Sequence, residues 1–316
     1  MSVKNGLPYL EQSINSVLNQ SFTNFEFIIV DDGSTDQTAS TINSFNDSRL
    51  SLIQQENTGV ATAKNRAIAR GKGKYIAIID ADDIWLPNKL EEQVAFLEEN
   101  SAYVLVGGFA QIIDKNGQYL YTEKKPVSHS DNIKFFTLKN TWTHSAIMYS
   151  RAAFDAVGGY FEPIKQYIVD YILVYQLGQI GKVHQLPQAV VKYRITPGAL
   201  STKADGADFN ALTQRSIIAG FVNDQDQATL KRIKQNEEKS PNFKKCMYHL
   251  HLGRSYLFHN YQPRLAKKHL KKCLALRPQL KIARYYLLMS LFLPKAVIQL
   301  IYRLASPNAG FTYVET

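Results

Sequence analysis

Apolar residues in the first hundred positions alternate between a helical and an extended rhythm. Leu10, Ile14, Val17 and Leu18 recur at helical spacing, and the run 25–32 that follows is a short, continuous apolar segment of strand type ending in two acids. The alternation repeats: 50–53 reads as a strand, 60–70 as a helix closed by Gly71, and 74–80 as a strand. Pro87 stands where a first helical turn wants it, Leu90, Val94 and Leu97 make one apolar face, and 102–106 returns to strand. Helices feeding buried strands predict an α/β fold, with residues 1–110 forming an open, mostly parallel sheet covered by helices on both faces. Residues 111–203 read as mixed short elements punctuated by Gly158, Gly159, Gly178, Gly181 and Pro187, and residues 204–316 as helical.

Two details modify this outline. A doubly wound sheet normally opens with a buried strand, yet only five residues precede Gly6. Either the sheet starts one strand short or the natural start lies upstream of Met1. Losing an interior strand would expose backbone donors and apolar side chains of its neighbours, so an upstream start is expected, with residues 2–4 as the last of the first strand. In the last third, Leu252, Gly253 and Tyr256, then Ala266, Leu270, Leu274 and Pro278, are similar to one tetratricopeptide hairpin. A single copy cannot cover its own apolar face, so it reads as a helical cap rather than a repeat array. The most apolar stretch, 285–304, is interrupted by Pro294, Lys295 and Gln299, and reads as two helices lying on a surface rather than one crossing a membrane.

Composition narrows the class. With 45% hydrophobic and 20% charged residues among 316, the chain can bury a full core and is not disordered. Two cysteines, Cys246 and Cys273, make neither a disulfide framework nor a four-ligand zinc site, which fits a reducing cytoplasm. The opening ten residues hold no long apolar core of a secretory signal. The net charge of +10 is unevenly placed: residues 1–200 hold 18 Lys and Arg against 20 Asp and Glu, and residues 201–316 hold 19 against 7. A near-neutral body with a basic tail points to an anionic surface, membrane lipid first. Nucleic acid is secondary, because no nucleic-acid motif is present.

The chemistry is concentrated in two acidic clusters, each where a buried strand stops: Asp31-Asp32-Gly33-Ser34 and Asp80-Ala81-Asp82-Asp83. In open α/β sheets the carboxyl ends of the strands line the ligand crevice, so both clusters are expected to face one cleft. Carboxylates gathered there repel unless something positive lies between them. A divalent cation, Mn²⁺ or Mg²⁺, takes one or two carboxylates and completes its shell with water and phosphate oxygens, which makes such a cleft a nucleoside-diphosphate site. Asp-Asp-Gly-Ser alone is also a good turn, with Asp bonding backbone N–H groups and Gly taking a positive φ. The coincidence of two clusters, each after an apolar run, favours function. No nucleophile elbow, P-loop or Gly-x-Gly-x-x-Gly is present.

Residues 5–200 resemble a family 2 glycosyltransferase of the GT-A fold, a Rossmann-like architecture. The resemblance runs through Asn5-Gly6 with Tyr9-Leu10, Ser16 to Phe22, Val30-Asp31-Asp32-Gly33-Ser34-Thr35-Asp36, Asn57-Thr58-Gly59, Ala63-Lys64-Asn65, Asp80-Ala81-Asp82-Asp83-Ile84-Trp85 with Pro87 and Lys89-Leu90, and Tyr193-Arg194 with Pro197-Gly198 and Ser201. It implies a nucleotide-sugar-binding half at 1–110 and an acceptor-binding half at 111–203. Asp31 or Asp32 then reads the nucleotide base, beside Asn5, and Lys64 lies near the base and diphosphate; a solvated helix charge is the competing reading of Lys64. Asp80 and Asp82 become the metal-binding pair, with Asp82 on the ion and Asp80 on the ribose or a water bound to the ion. Trp85 and Pro87 read as packing and a helix start. Where the family carries a Glu-Asp pair about ninety residues past the Asp-x-Asp motif, this chain has Val169-Asp170, so Asp170 is the expected catalytic base and its partner Glu is lost.

Thr196 stands where relatives often carry His, and no Gln-x-x-Arg-Trp sequence of the processive synthases is present. The resemblance therefore implies an inverting, metal-dependent, non-processive transfer from a nucleotide sugar, UDP-linked by preference, to a glycan or lipid-linked acceptor. Such an enzyme is expected in the cytoplasm, peripheral to the inner face of the membrane. The alternative is a non-catalytic glycosyltransferase-like module that binds nucleotides or partners. His144 and His184 fit no metal spacing.

Overall fold

The computed structural model describes residues 1–136, 141–163, 168–197, 206–238 and 241–305. Its elements run in chain order as β1 (Ser2–Val3), α1 (Leu10–Leu18), β2 (Phe27–Asp32), α2 (Thr38–Asn43), β3 (Leu50–Gln55), α3 (Val60–Arg70), β4 (Tyr75–Ala77), β5 (Ile84–Trp85), α4 (Lys89–Glu99), β6 (Tyr103–Ile113), β7 (Tyr119–Glu123) and α5 (His129–Phe136). A 3-10 turn (His144–Ala146), β8 (Met148–Ser150), α6 (Arg151–Ala156), α7 (Val169–Ile180) and β9 (Lys182–Arg194) follow. The last are the helices α8 (Gly206–Ala219), α9 (Asp224–Glu238), α10 (Pro241–Phe258), α11 (Pro263–Leu276), α12 (Lys281–Phe292) and α13 (Lys295–Ala305).

The parallel sheet is built from β1, β2 and β3 in that order, with Val3 beside Asp31 and Asp31 beside Gln54. Of the strand that precedes Asn5 in the family, the two residues Ser2–Val3 are present and run parallel to β2. A second sheet, in the order β4-β8-β6-β9-β5 with β7 beside β6, pairs antiparallel at β4–β8, β8–β6 and β5–β9. The parallel character read from helix–strand alternation therefore belongs to the first three strands. The short β4 and β5 take antiparallel partners from later in the chain, which local patterning does not reveal. A cavity of about 610 Å³ is lined by Phe27 and Ile28 of β2 and by Tyr75, Ile76 and Ala77 of β4.

Local sequence explains the helices that hold the site. Leu10, Ile14 and Val17 are buried on one face of α1, and α3 buries Ala63, Ala67 and Ile68 against Val30. Before α3, Gly59 takes φ +102°, a conformation open to glycine. Trp85 is buried and its Nε1–H donates to the Ser145 carbonyl at 2.8 Å, while Pro87 precedes α4, so both have the packing and helix-start roles expected of them.

The chain divides into two compact units: Met1–Ala110, Lys125–Tyr193 and Asn210–Asp226 form one, and Gln111–Lys124, Arg194–Phe209 and Gln227–Thr316 the other. In the second, α10 and α11 pair as the tetratricopeptide-like hairpin. Gly253 lets them approach: a β-carbon there would lie 2.6 Å from Cγ of Leu270. Pro294 separates α12 from α13, as the interrupted apolar stretch predicts. Replacing Gly253 with Val should destabilise this unit by about 1–3 kcal/mol through overpacking, read as a lower midpoint of thermal unfolding; an unchanged midpoint would show that the helices do not meet there.

Candidate active site

The first acidic cluster is a turn at the end of β2. The Ser34 N–H donates to Asp31 Oδ1 at 2.9 Å, and Gly33 sits at φ +78° with room for no side chain, since a β-carbon would lie 3.0 Å from the Asn57 nitrogen. Asn5, itself at φ +52°, clips this turn: its N–H donates to Ser34 Oγ at 2.9 Å and its Oδ1 accepts from the Thr35 N–H at 2.8 Å.

Asp31 and Asp32 are both buried but differ in task. Asp32 Oδ1 accepts from the Thr58 N–H and from Gln55 Nε2, both at 2.8 Å, and its Oδ2 accepts from the Gly59 N–H at 2.9 Å. Those N–H groups belong to the loop that leads into α3, so Asp32 satisfies loop donors just ahead of the helix. Burial opposes its charge, but Gln55 and the Thr58 and Gly59 amides together hold the carboxyl below the usual aspartate range. Asp32 is thus engaged by the loop before α3, whereas Asp31 accepts within its own turn.

The second cluster follows β4. The Asp80 N–H donates to Ser145 Oγ at 3.0 Å, and the Asp83 N–H reaches the Asp80 carbonyl at 3.2 Å, closing a turn on which Asp82 is half-buried. Lys64, one turn into α3, donates to Asp80 Oδ1 at 2.8 Å; its side chain is only 4% exposed against 36% for Asp80. The solvated-charge reading of Lys64 is therefore excluded. Gly6, whose N–H donates to Thr38 Oγ1, sits against the same turn: its β-carbon would lie 3.6 Å from that of Ala81. The two clusters are joined twice, through Asn5-Gly6 and through α3, which has Asp32 at its start and Asp80 on its Lys64.

A third group comes from residues sequence reasoning passed over. His144 Nδ1 lies 2.9 Å from Lys64 Nζ and 3.6 Å from Asp80 Oδ2, and His144 Nε2 lies 2.8 Å from the Tyr160 hydroxyl. An ammonium only donates, so Nδ1 accepts and the Nε2–H donates to Tyr160. The Tyr149 hydroxyl donates to the Tyr160 oxygen at 3.3 Å. Asn65 holds the Tyr160 backbone from both sides, donating to its carbonyl and accepting from its N–H, each at 2.9 Å. Desolvation works against the Asp80 carboxylate, but the Lys64 charge outweighs it and keeps the carboxyl far below its ordinary range. Burial first, then Tyr149, Asp170 and Asp80, push the Tyr160 hydroxyl well above its ordinary value. Asp170 is half-buried in the first turn of α7.

Among the described residues no three His, Cys, Asp or Glu side chains gather into a metal cage. Magnesium and manganese need none when phosphate supplies oxygens, and Asp80 with Asp82 is the one-or-two-carboxylate set they take, one member already oriented by Lys64 and His144. The donor set fits such an ion.

The glycosyl transferase family 2 model matches residues 1–158, half of the sequence. The chain belongs to this family. An uncharacterized glycosyltransferase of Rickettsia prowazekii (strain Madrid E) is 30% identical over 199 residues, 61% of this chain and 62% of that protein. The UDP-Glc:alpha-D-GlcNAc-diphosphoundecaprenol beta-1,3-glucosyltransferase WfgD of Escherichia coli is 37% identical over 119 residues, 36% of this chain and 47% of WfgD. The matches thus span less than two thirds of these relatives. Residues 1–349 of S. aureus TarS, crystallised with UDP-GlcNAc, have a similar fold, with a TM-score of 0.56 at 20% identity over 96% of this chain and 90% of that one. Of the motif residues at the end of the resemblance, Gly198 and Ser201 lie outside the described residues.

Asp32→Ala should cost about 1–3 kcal/mol near neutral pH, the cost of leaving buried backbone donors without their partner. Because its folded pKa is lowered, this contribution is complete above the ordinary aspartate value of about 4 and disappears as pH falls through the lowered value. Urea midpoints of the two proteins should converge on acidification; a gap constant with pH would contradict the assignment.

Proposed function

We propose that the chain is an inverting, non-processive glycosyltransferase that moves one sugar from a nucleotide sugar, UDP-linked by preference, to a glycan or lipid-linked acceptor of the cell envelope, using Mn²⁺ or Mg²⁺. The observation that carries this reading is the junction at α3, where the Asp31 turn, the Asp80–Asp82 turn and, through His144, Tyr160 meet. The UDP-GlcNAc bound by TarS and the diphosphoundecaprenol acceptor in the name of WfgD support the donor and acceptor classes.

Asp31 and Asn5 would face the nucleoside, and Asp80 the ribose or a bound water. Asp82, with Asp80, would hold the divalent cation, which when bound supplies positive charge against the diphosphate. Lys64 acts through Asp80, fixing the carboxylate instead of meeting solvent. Asp170 accepts the proton of the acceptor hydroxyl as its oxygen attacks the anomeric carbon. The bond from that carbon to the diphosphate oxygen breaks, the nucleoside diphosphate departs with the electron pair, and the centre inverts in one displacement. The basic C-terminal third would keep the protein on the cytoplasmic face of an anionic membrane as a peripheral enzyme.

Turnover of UDP-sugars should require Mn²⁺ or Mg²⁺, vanish in Asp82→Ala, and fall by about 100-fold or more in Asp170→Asn with UDP affinity retained. Binding without turnover in the unaltered protein would favour the non-catalytic module, for which the replacement of Glu by Val169 is the supporting feature. His144→Phe should lower turnover by about 10- to 100-fold, and His144→Asn, whose amide oxygen can replace Nδ1 as the acceptor, should restore part of it. Equal loss in both variants would contradict a role for His144 in holding Lys64.

A further inference from the structure

We infer that the outer face of α12 and α13 is a membrane-docking surface for anionic lipid, held by apolar insertion as well as by charge. The inference deepens the membrane partner proposed above and rests on that part of the reading alone.

Both helices already have a buried side. Ala283 and Met289 of α12 and Ile298 of α13 are buried, and the Phe258 ring of α10 meets Tyr286 at 5.3 Å and Tyr302 at 5.1 Å between centroids. A helix in that position ordinarily turns polar residues to water. Here Ile282, Tyr285, Leu288 and Phe292 form an exposed stripe along α12, and Leu300 and Leu304 are likewise exposed on α13, with Phe292 75% and Leu304 74% exposed. Their spacing of three and four residues makes each stripe continuous. An exposed apolar strip of this kind marks an interaction site rather than ordinary surface.

The charge identifies the partner. Residues 241–305 contain thirteen Lys and Arg and no Asp or Glu. Lys281, Arg284, Lys295 and Arg303 are exposed on the hairpin itself, and their long stems let the apolar stripe lie deep while the charged heads stay in the headgroup layer. A second copy of the chain would set this cationic surface against its equal, so self-association is opposed. An anionic bilayer offers acidic headgroups directly above an apolar layer, the two chemistries this face presents. No helix among the described residues is long and apolar enough to cross a membrane, and the break at Pro294 leaves two short helices suited to lying in the interface.

The test is co-sedimentation of the full chain with phosphatidylcholine vesicles, with or without phosphatidylglycerol. Partition should be at least about tenfold higher with phosphatidylglycerol at low salt and should weaken as salt rises. Phe292→Glu and Leu288→Glu, both at exposed positions, should each lower it by about tenfold with the thermal midpoint unchanged. Partition that ignores phosphatidylglycerol, or that survives both substitutions, overturns the inference. So does a vesicle-independent dimer abolished by Phe292→Glu, which would make a second copy the occupant. Calorimetric titration of the same proteins with UDP and Mn²⁺ separates this from the catalytic reading. UDP binding that persists while wild-type partition is absent overturns the docking surface alone, and partition without UDP binding supports the surface while counting against the nucleotide site.

Discussion

The site depends on one ammonium group taken out of water. Lys64 is almost wholly buried, with Asp80 on one side and His144 on the other. A buried cation is tolerated only when paired, and removing one partner from a fully buried pair costs about 3–5 kcal/mol, less here because Asp80 keeps a third of its side chain open. That pairing fixes where the end of β4 sits relative to α3. Since Asp32 fastens the start of α3 to the end of β2, the two strand ends are held in one arrangement before any ligand arrives. Groups fixed in advance need not reorganise when charge develops beside them, which is the usual source of electrostatic catalysis.

The adjacent acids of the first cluster illustrate how side-chain direction divides labour. Neighbouring residues in a strand point to opposite faces. Asp32 meets backbone amides of the following loop, whereas Asp31 stays with its own turn and the Asn5 clip. The second cluster divides similarly, Asp80 being tied to Lys64 and His144 while Asp82 rides on the turn beyond it. In each pair one carboxylate is tied to groups remote in sequence, Asp32 to the Thr58 and Gly59 amides and Asp80 to Lys64.

Much of this was legible in the sequence. The periodicity placed α1, β2, β3, α3 and α4 close to their observed bounds, and Pro294 divided the C-terminal hairpin correctly, because these features depend on nearest neighbours in the chain. Antiparallel pairing of β4 with β8 and of β5 with β9 was not legible, since it depends on partners more than seventy residues away. The acidic clusters were recognised, but not which of Asp31 and Asp32 the fold engages, a matter of where the Thr58 and Gly59 amides point. His144 was passed over because its partners, Lys64, Asp80 and Tyr160, lie at separations no short motif encodes. Gly158-Gly159-Tyr160 stood out as punctuation, and only its contact with Asn65 reveals why the tyrosine is there.

The central claim is that a cation and a nucleoside diphosphate share the edge formed by the Asp31 and Asp80–Asp82 turns. It is tested most directly by a crystal structure of the chain with UDP and Mn²⁺, in which anomalous scattering locates the manganese. The account predicts one peak at the Asp82 carboxylate, bridged to the diphosphate, with uracil beside Asp31. Manganese and nucleotide bound elsewhere, or a diphosphate remote from both turns, would contradict it.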